Sequence, residues 1–460
     1  MIAKFFLLII LLYCIYAFFA QEKYHLIFII FIISSNFFGF QPFLGDKKDD
    51  VIFLYLILLW TYFYFFHTYK TYIIPAVSRN IVFVYIFLGF LVLILFFSII
   101  NYHQALPSFK VFRQIFRYSS MVFFIYIFLH FNKGEMDKFI DLIEKITVAL
   151  CFLYILDFGV GLKIFAVKSY GEGAIIGGVS IERNFQAIPQ FLLFTFVRIL
   201  LRERYDKYVI FSLIVISLTI FFTYTRSLIL SSLAIAVVSL FVRNIKYSKD
   251  LFKLIKILSL AAVLIVIVVF TIQKMFPYHL QYLMFRFGNV QDVQTATQDK
   301  NFNIRSEIIK SRAKKVLEVN PIFGLGYLHE ETSGQFYPDL FVRKGDRPGQ
   351  VLVGDQSWGN LIAMIGFGGV LLLLIVLFYP ILFLIVKKIL FKQDITLITV
   401  IITLLSDLLV FSFTGPVLVS RIINVSFAYA LIIYYSNDFL FQHYQNYLNK
   451  KNSTHEYNPI

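Results

Sequence analysis

"NIVFVYIFLGFLVLILFFSII" (80–100) carries no charged residue and is apolar on every side of a helix. About 20 such residues, rising 1.5 Å each, cross the hydrocarbon core of a bilayer. Comparable runs recur at 5–20, 24–44, 51–67, 118–131, 139–160, 184–201, 208–225, 227–243, 252–275, 357–386, 395–415 and 417–436. None alternates apolar with polar residues, as the strands of a membrane barrel would. The sequence therefore predicts an all-α polytopic membrane protein with 12 or 13 transmembrane helices.

The composition agrees. Hydrophobic residues make up 59% of the chain and charged ones only 15%, against about 25% in soluble domains. The formal net charge is +15, but Lys and Arg cluster in short loops at span ends, which is a topology signal and argues against nucleic acid. Cys14 and Cys151 sit in apolar runs, so no disulfide framework is implied. The first run resembles a signal peptide, yet it leads directly into another span and reads as an uncleaved helix.

The basic loops set the orientation. "RILLRERYDKY" (198–208), "RNIKYSKDLFKLIK" (243–256) and "KKILFK" (387–392) are the strongest clusters and are expected on the cytoplasmic side. The chain then divides into N-terminal spans (1–276), a long external loop (277–356), C-terminal spans (357–436) and a cytoplasmic tail (437–460). Thirteen spans put the N-terminus outside, which Lys4 opposes.

Three stretches could carry chemistry. In "FFTYTRSLILSSLAIAVV" (221–238), Arg226 stands between two apolar runs. A charge there costs roughly 2.5–3.5 kcal/mol at mid-bilayer unless paired or used. Arg226 either snorkels to the outer headgroups or faces an anionic ligand, for which a guanidinium offers a planar fork of donors. In "NIRSEIIKSRAKKVLEVNPIFGLGYLHEE" (303–331), Ile304, Ile308, Ile309, Ala313, Val316 and Leu317 are expected on one helix face. Arg305, Arg312 and Lys315 fall elsewhere, either as a solvated basic face or with Arg305 turned toward the cavity that holds Arg226. In "GDRPGQVLVGDQSWGNLIAMIGFGG" (345–369), Asp355 precedes a span that opens near Trp358. It is either a helix-capping loop acid or a carboxylate able to take a proton from a sugar hydroxyl.

The order of these pieces resembles the bacterial O-antigen polymerase and O-antigen ligase family. That family places a "(T/S)R(S/G)" junction between two spans. Its long periplasmic loop opens with an amphipathic helix marked by arginine, passes an "N-P-x-x-G-x-G" turn and closes before a glycine-rich span. Here the counterparts are "YTRS" (224–227), "RSEII" (305–309), "NPIFGLGY" (320–327) and "GFGG" (366–369). "GGVSIERNFQAI" (177–188) resembles another outer segment of the family and adds Arg183. The resemblance covers 180–380 in detail and implies transfer of a glycan from undecaprenyl diphosphate on the outer face of the inner membrane. It gives Arg226 and Arg305, with Arg183 as a third, the role of holding the diphosphate, and requires neither nucleotide nor metal. The partners it implies are the lipid-linked donor and acceptor, the bilayer and a chain-length regulator protein.

One departure selects within the family. Ligases carry a histidine just before the span that follows the long loop, where this chain reads "VLVGDQSWGN" (351–360) with Asp355 and no histidine. His329 lies too far upstream to align. Polymerisation of repeat units is therefore the expected activity, with Asp355 as the candidate base and transfer to lipid A core as the alternative. A flippase or transporter is the rival of another class, but no repeat-related halves are visible. A polyprenyl-phosphate-sugar glycosyltransferase would need its acid in "GDKKDD" (45–50), which reads as a solvated turn. Asp157 and Asp407 are expected to pair with buried cations such as Arg421.

Overall fold

A computed structural model of the chain describes residues 2–21, 48–68, 72–101, 117–165, 173–176, 179–182, 187–247, 274, 277–278, 281, 295–327, 336–337, 357–386, 395–408 and 422–455. The helices among them are α1 (Ile2–Gln21), α2 (Lys48–Phe66), α3 (Pro75–Asn101), α4 (Ser120–Phe128), α5 (Lys133–Tyr154), α6 (Leu192–Leu200), α7 (Lys207–Phe222), α8 (Arg226–Tyr247), α9 (Thr295–Val319), α10 (Ser357–Val386), α11 (Ile395–Ser406) and α12 (Ile422–His455). One antiparallel hairpin, β1 (Gly173–Ile176) with β2 (Val179–Glu182), is the minor exception to an all-α fold. The expected span 24–44, and 252–275 apart from residue 274, lie outside the described residues.

Three of these helices are long and apolar enough to cross a membrane: Val77–Asn101, Leu228–Tyr247 and Trp358–Val386. Their outward residues are large and apolar. Leu93, Phe96 and Ile100 of α3, Leu230 and Val237 of α8 and Leu371 of α10 are each more than half exposed. Such continuous apolar surface suits lipid and not water. The protein is an all-α polytopic membrane protein.

Two expected spans carry short helices among their described residues. The 118–131 run forms a 3₁₀ turn (Arg117–Ser119) and then α4 alone, and the 184–201 run forms only α6 among its described residues. Each nine-residue helix rises about 14 Å. Local chemistry stops them. Asn132 accepts from the Glu135 N–H at 2.9 Å while Glu135 accepts from the Asn132 N–H at 3.0 Å, a reciprocal cap that starts α5 at Lys133. Pro189 precedes α6, so the helix begins only after it.

The chain folds as two compact units. In the first (1–52 and 137–300), α6 and α8 pack on α7 or on each other, and a π turn (Ile155–Gly159) closes on α7. Glu144 is buried, and its carboxylate accepts from Arg198 and Arg202, both at 2.6 Å. Arg243 donates to the carbonyls of Arg202 and Glu203 at 2.8 Å and lies over the Tyr205 ring. The two basic clusters read from the sequence thus meet at one end of the unit. Asp206 caps α7 by accepting from the Val209 N–H at 2.8 Å. Cys14 and Cys151 are buried free thiols.

In the second unit (53–136 and 301–460), α12 is the central post. It carries α4, α11, α10 and α3. Phe427 meets Phe124 and Phe128 edge-on at 5.5 Å, and the buried Ser120 hydroxyl donates to Ser426 at 2.8 Å. Asn437 holds the approach to α3, donating to the Tyr72 carbonyl and accepting from the Ile74 N–H.

Candidate functional site

The turn that follows α9 and the membrane helix α10, both in the second unit, are joined through a broken hydrogen bond. Asn320 ends α9: its side chain accepts from the N–H groups of Ile322 and Phe323, and its carbonyl accepts from Gly324. Proline at 321 reinforces the stop. The turn then inserts into α10. In a continuous helix the Phe367 N–H would bond the Ala363 carbonyl. Here Phe367 donates to the Pro321 carbonyl at 2.9 Å, and Ala363 accepts from the Leu325 N–H at 2.7 Å. Both groups orphaned by the break are satisfied by the turn, as apolar surroundings demand.

Gly366 makes the break possible. Its φ of 65° and ψ of −178° lie where only glycine is comfortable, and a Cβ would stand 2.4 Å from the Ile322 carbonyl oxygen. The same turn grips α3. Phe323 lies beside Phe90 and Phe97, the Tyr327 hydroxyl donates to the Leu91 carbonyl, and the Tyr327 N–H donates to Ser98 Oγ at 2.8 Å. Gly326, at φ 77°, passes so close to Ser98 that a Cβ would sit 2.4 Å from its hydroxyl. Ser98→Ala leaves the buried Tyr327 N–H without its acceptor. It lowers stability by about 1–3 kcal/mol, read as a lower unfolding temperature of the detergent-solubilised protein.

The face of α9 differs from the expected one. Ile308, Arg312 and Val316 form the buried line at four-residue spacing, Ile309 and Ala313 are half-buried, and Leu317 is 61% exposed. The turn fixes the register of α9 against its unit, so residues in line with that anchor are buried whatever their polarity. Arg312 is fully buried and donates from Nη1 to the side-chain oxygen of Asn360 in the first turn of α10. Burial pulls its guanidinium down to about 10. The sequence reading puts Arg312 on a solvated basic face. The signal against it is its four-residue spacing from Ile308 and Val316, which puts all three on one helical stripe.

In the first unit, the junction at Arg226 is strained. α7 closes at Thr223, and Tyr224 follows at φ 48° with its ring fully buried. A bulky residue in this region is a conformational outlier of the kind that accompanies functional sites. Thr225 bonds back to the Thr223 carbonyl, its own carbonyl accepts from Ile229, and Arg226 opens α8. Seventeen residues of helix place Arg226 about 26 Å from Arg243 and the basic end of the unit. That is close to the thickness of a bilayer core. Nearby, buried Asp157 accepts from the N–H groups of Ile164 and Phe165, fixing the base of the segment that leads to the hairpin. Its carboxylate thus serves backbone N–H groups. Arg421 lies outside the described residues.

Of the four expected site residues, Arg226 and Arg305 have described backbone only, in α8 of the first unit and α9 of the second. Arg183, directly after β2, and Asp355, two residues before α10, lie outside the described residues. What the structure does bring together is "NPIFGLGY" and "GFGG", two motifs about 40 residues apart that form one joint.

The fold and this joint define the class: a multi-pass α-helical membrane protein in which the Asn320–Tyr327 turn plugs a break in a membrane helix. Residues 211–351 match the family model described as O-antigen ligase. The match makes that region similar to the O-antigen polymerase and ligase family, whose members are glycosyltransferase-like enzymes of membranes. No curated protein matches the chain.

Proposed function

We propose that this protein polymerises undecaprenyl-diphosphate-linked oligosaccharide repeat units on the outer face of the bacterial cytoplasmic membrane. The observation that carries the reading is the extent of the family match, which encloses Arg226, Arg305 and the whole Asn320–Tyr327 turn in a chain of multi-pass helices. Segment 277–356 is then the external loop, with 1–276 and 357–436 as the membrane parts and 437–460 as the cytoplasmic tail. The basic end of the first unit faces the cytoplasm, since positive charge is retained there, and Arg226 faces outward.

The chemistry follows from charge. An acceptor hydroxyl oxygen bonds to the anomeric carbon of the donor glycan, and the bond from that carbon to the diphosphate oxygen breaks. Undecaprenyl diphosphate leaves with the bonding electrons. Arg226 and Arg305, with Arg183, hold the departing diphosphate, where fixed cations near low-dielectric walls stabilise developing charge best. Arg226, as the first residue of α8, adds the positive end of a helix dipole. Asp355 takes the proton of the acceptor hydroxyl. Confining two lipid-tethered partners supplies orientation. A chain-length regulator protein is the expected partner in the membrane.

The family model's description favours a second reading, transfer of the finished glycan to lipid A core by the same bond exchange. Deleting the gene and running the surface glycan on a gel separates them. Polymerase activity predicts that the ladder collapses to a single-repeat product. Complete loss of attached glycan, with lipid-linked polymer accumulating, identifies a ligase. An unchanged ladder overturns both.

A further inference from the structure

We propose that Arg312 is a positioning residue: its hydrogen bond to Asn360 clasps α9 to the first turn of α10 and so sets where Arg305 is presented to the lipid diphosphate. This rests on the reading of Arg305 given above.

Four observations carry it. Arg312 is fully buried, so in this state it holds the protein and is out of reach of a ligand. Its partner Asn360 is itself 2% exposed. Asn360 and Ala363 stand three residues apart on the part of α10 before the break, so that one face takes both the Arg312 clasp and the Leu325 N–H of the turn. Finally, Arg305 lies seven residues before Arg312, on the same stripe and about 10 Å farther along α9. The plug fixes the end of α9, and the buried Ile308 and Val316 pack along the same line without direction. The Arg312 bond, two turns from the plug, adds a directed attachment over the length that carries Arg305. Burying a guanidinium is costly unless its bonds are well made. A joint built on one is therefore directional in a way that an apolar contact is not.

The test uses the full-length protein with Cys14 and Cys151 changed to alanine. Spin labels are placed at the exposed positions Glu307 of α9 and Leu371 of α10. The distance between the labels is measured by pulsed electron resonance, and chain extension is followed against the concentration of lipid-linked donor. Arg312→Met broadens the distance distribution and lowers kcat/KM by about 10- to 100-fold, mainly through KM, the effect of a displacement near 1 Å. Arg312→Lys keeps a donor for Asn360 and restores both. Loss of extension with an unchanged distance overturns the proposal, as does a changed distance with normal extension. Recovery of the distance but not of extension in Arg312→Lys also overturns it, since the guanidinium would then act on substrate directly. Arg305→Ala in the same assay is the separate control. Full extension there removes the underlying reading, whatever the labels report.

Discussion

Arg226→Ala and Arg305→Ala each reduce chain extension by about 100- to 1,000-fold while membrane abundance stays at the wild-type level. The size follows from what each guanidinium is asked to do. It meets a diphosphate whose charge localises as the glycosidic bond breaks, in surroundings that screen poorly. Abundance holds because both lie away from the anchored ends of their helices: Arg226 is the first residue of α8, and Arg305 belongs to the N-terminal half of α9, far from the Asn320 stop. Quantitative blotting of membranes beside the glycan ladder checks both halves. Lysine in either place retains charge but loses the planar fork, so it recovers only part of the rate.

Gly366→Ala disrupts the fold strongly. The added Cβ meets the Ile322 carbonyl oxygen at 2.4 Å and the Gly324 nitrogen at 2.5 Å, both backbone atoms that cannot swing aside. The φ of 65° adds strain. Together these cost about 4 kcal/mol. The turn is expelled, leaving the Ala363 carbonyl and Phe367 N–H unpaired unless α10 straightens and closes its own bond. The expected result is a large drop in unfolding temperature, with extension lost in whatever protein survives. A protein that melts like wild type would show that the turn is not seated by this glycine.

How far the sequence reached depends on which residues were being read. The runs at 80–100, 227–243 and 357–386 are apolar all round, and α3, α8 and α10 lie on them. The short helices α4 and α6 were hidden. Apolar character continues past their ends, and the features that stop them are an Asn132–Glu135 cap and Pro189. The order of "NPIFGLGY" and "GFGG" was visible in the sequence, but not that one plugs the other. That contact depends on two glycine backbones meeting across the fold, which no local periodicity encodes. Arg312 was misplaced because polarity was taken to mean solvent. The anchor at Asn320 sets the buried side of α9, and it faces Arg312 inward. The family region was legible from motif order, and the match to 211–351 contains the first three of the four motifs.

The most direct measurement is an electron cryomicroscopy structure of the protein with undecaprenyl diphosphate bound. The proposed chemistry requires the guanidinium groups of Arg226 and Arg305 to lie on the same diphosphate, each within about 3 Å of an oxygen. A bound diphosphate that touches neither arginine, or one arginine turned toward the acyl chains while the other holds the lipid, would contradict it.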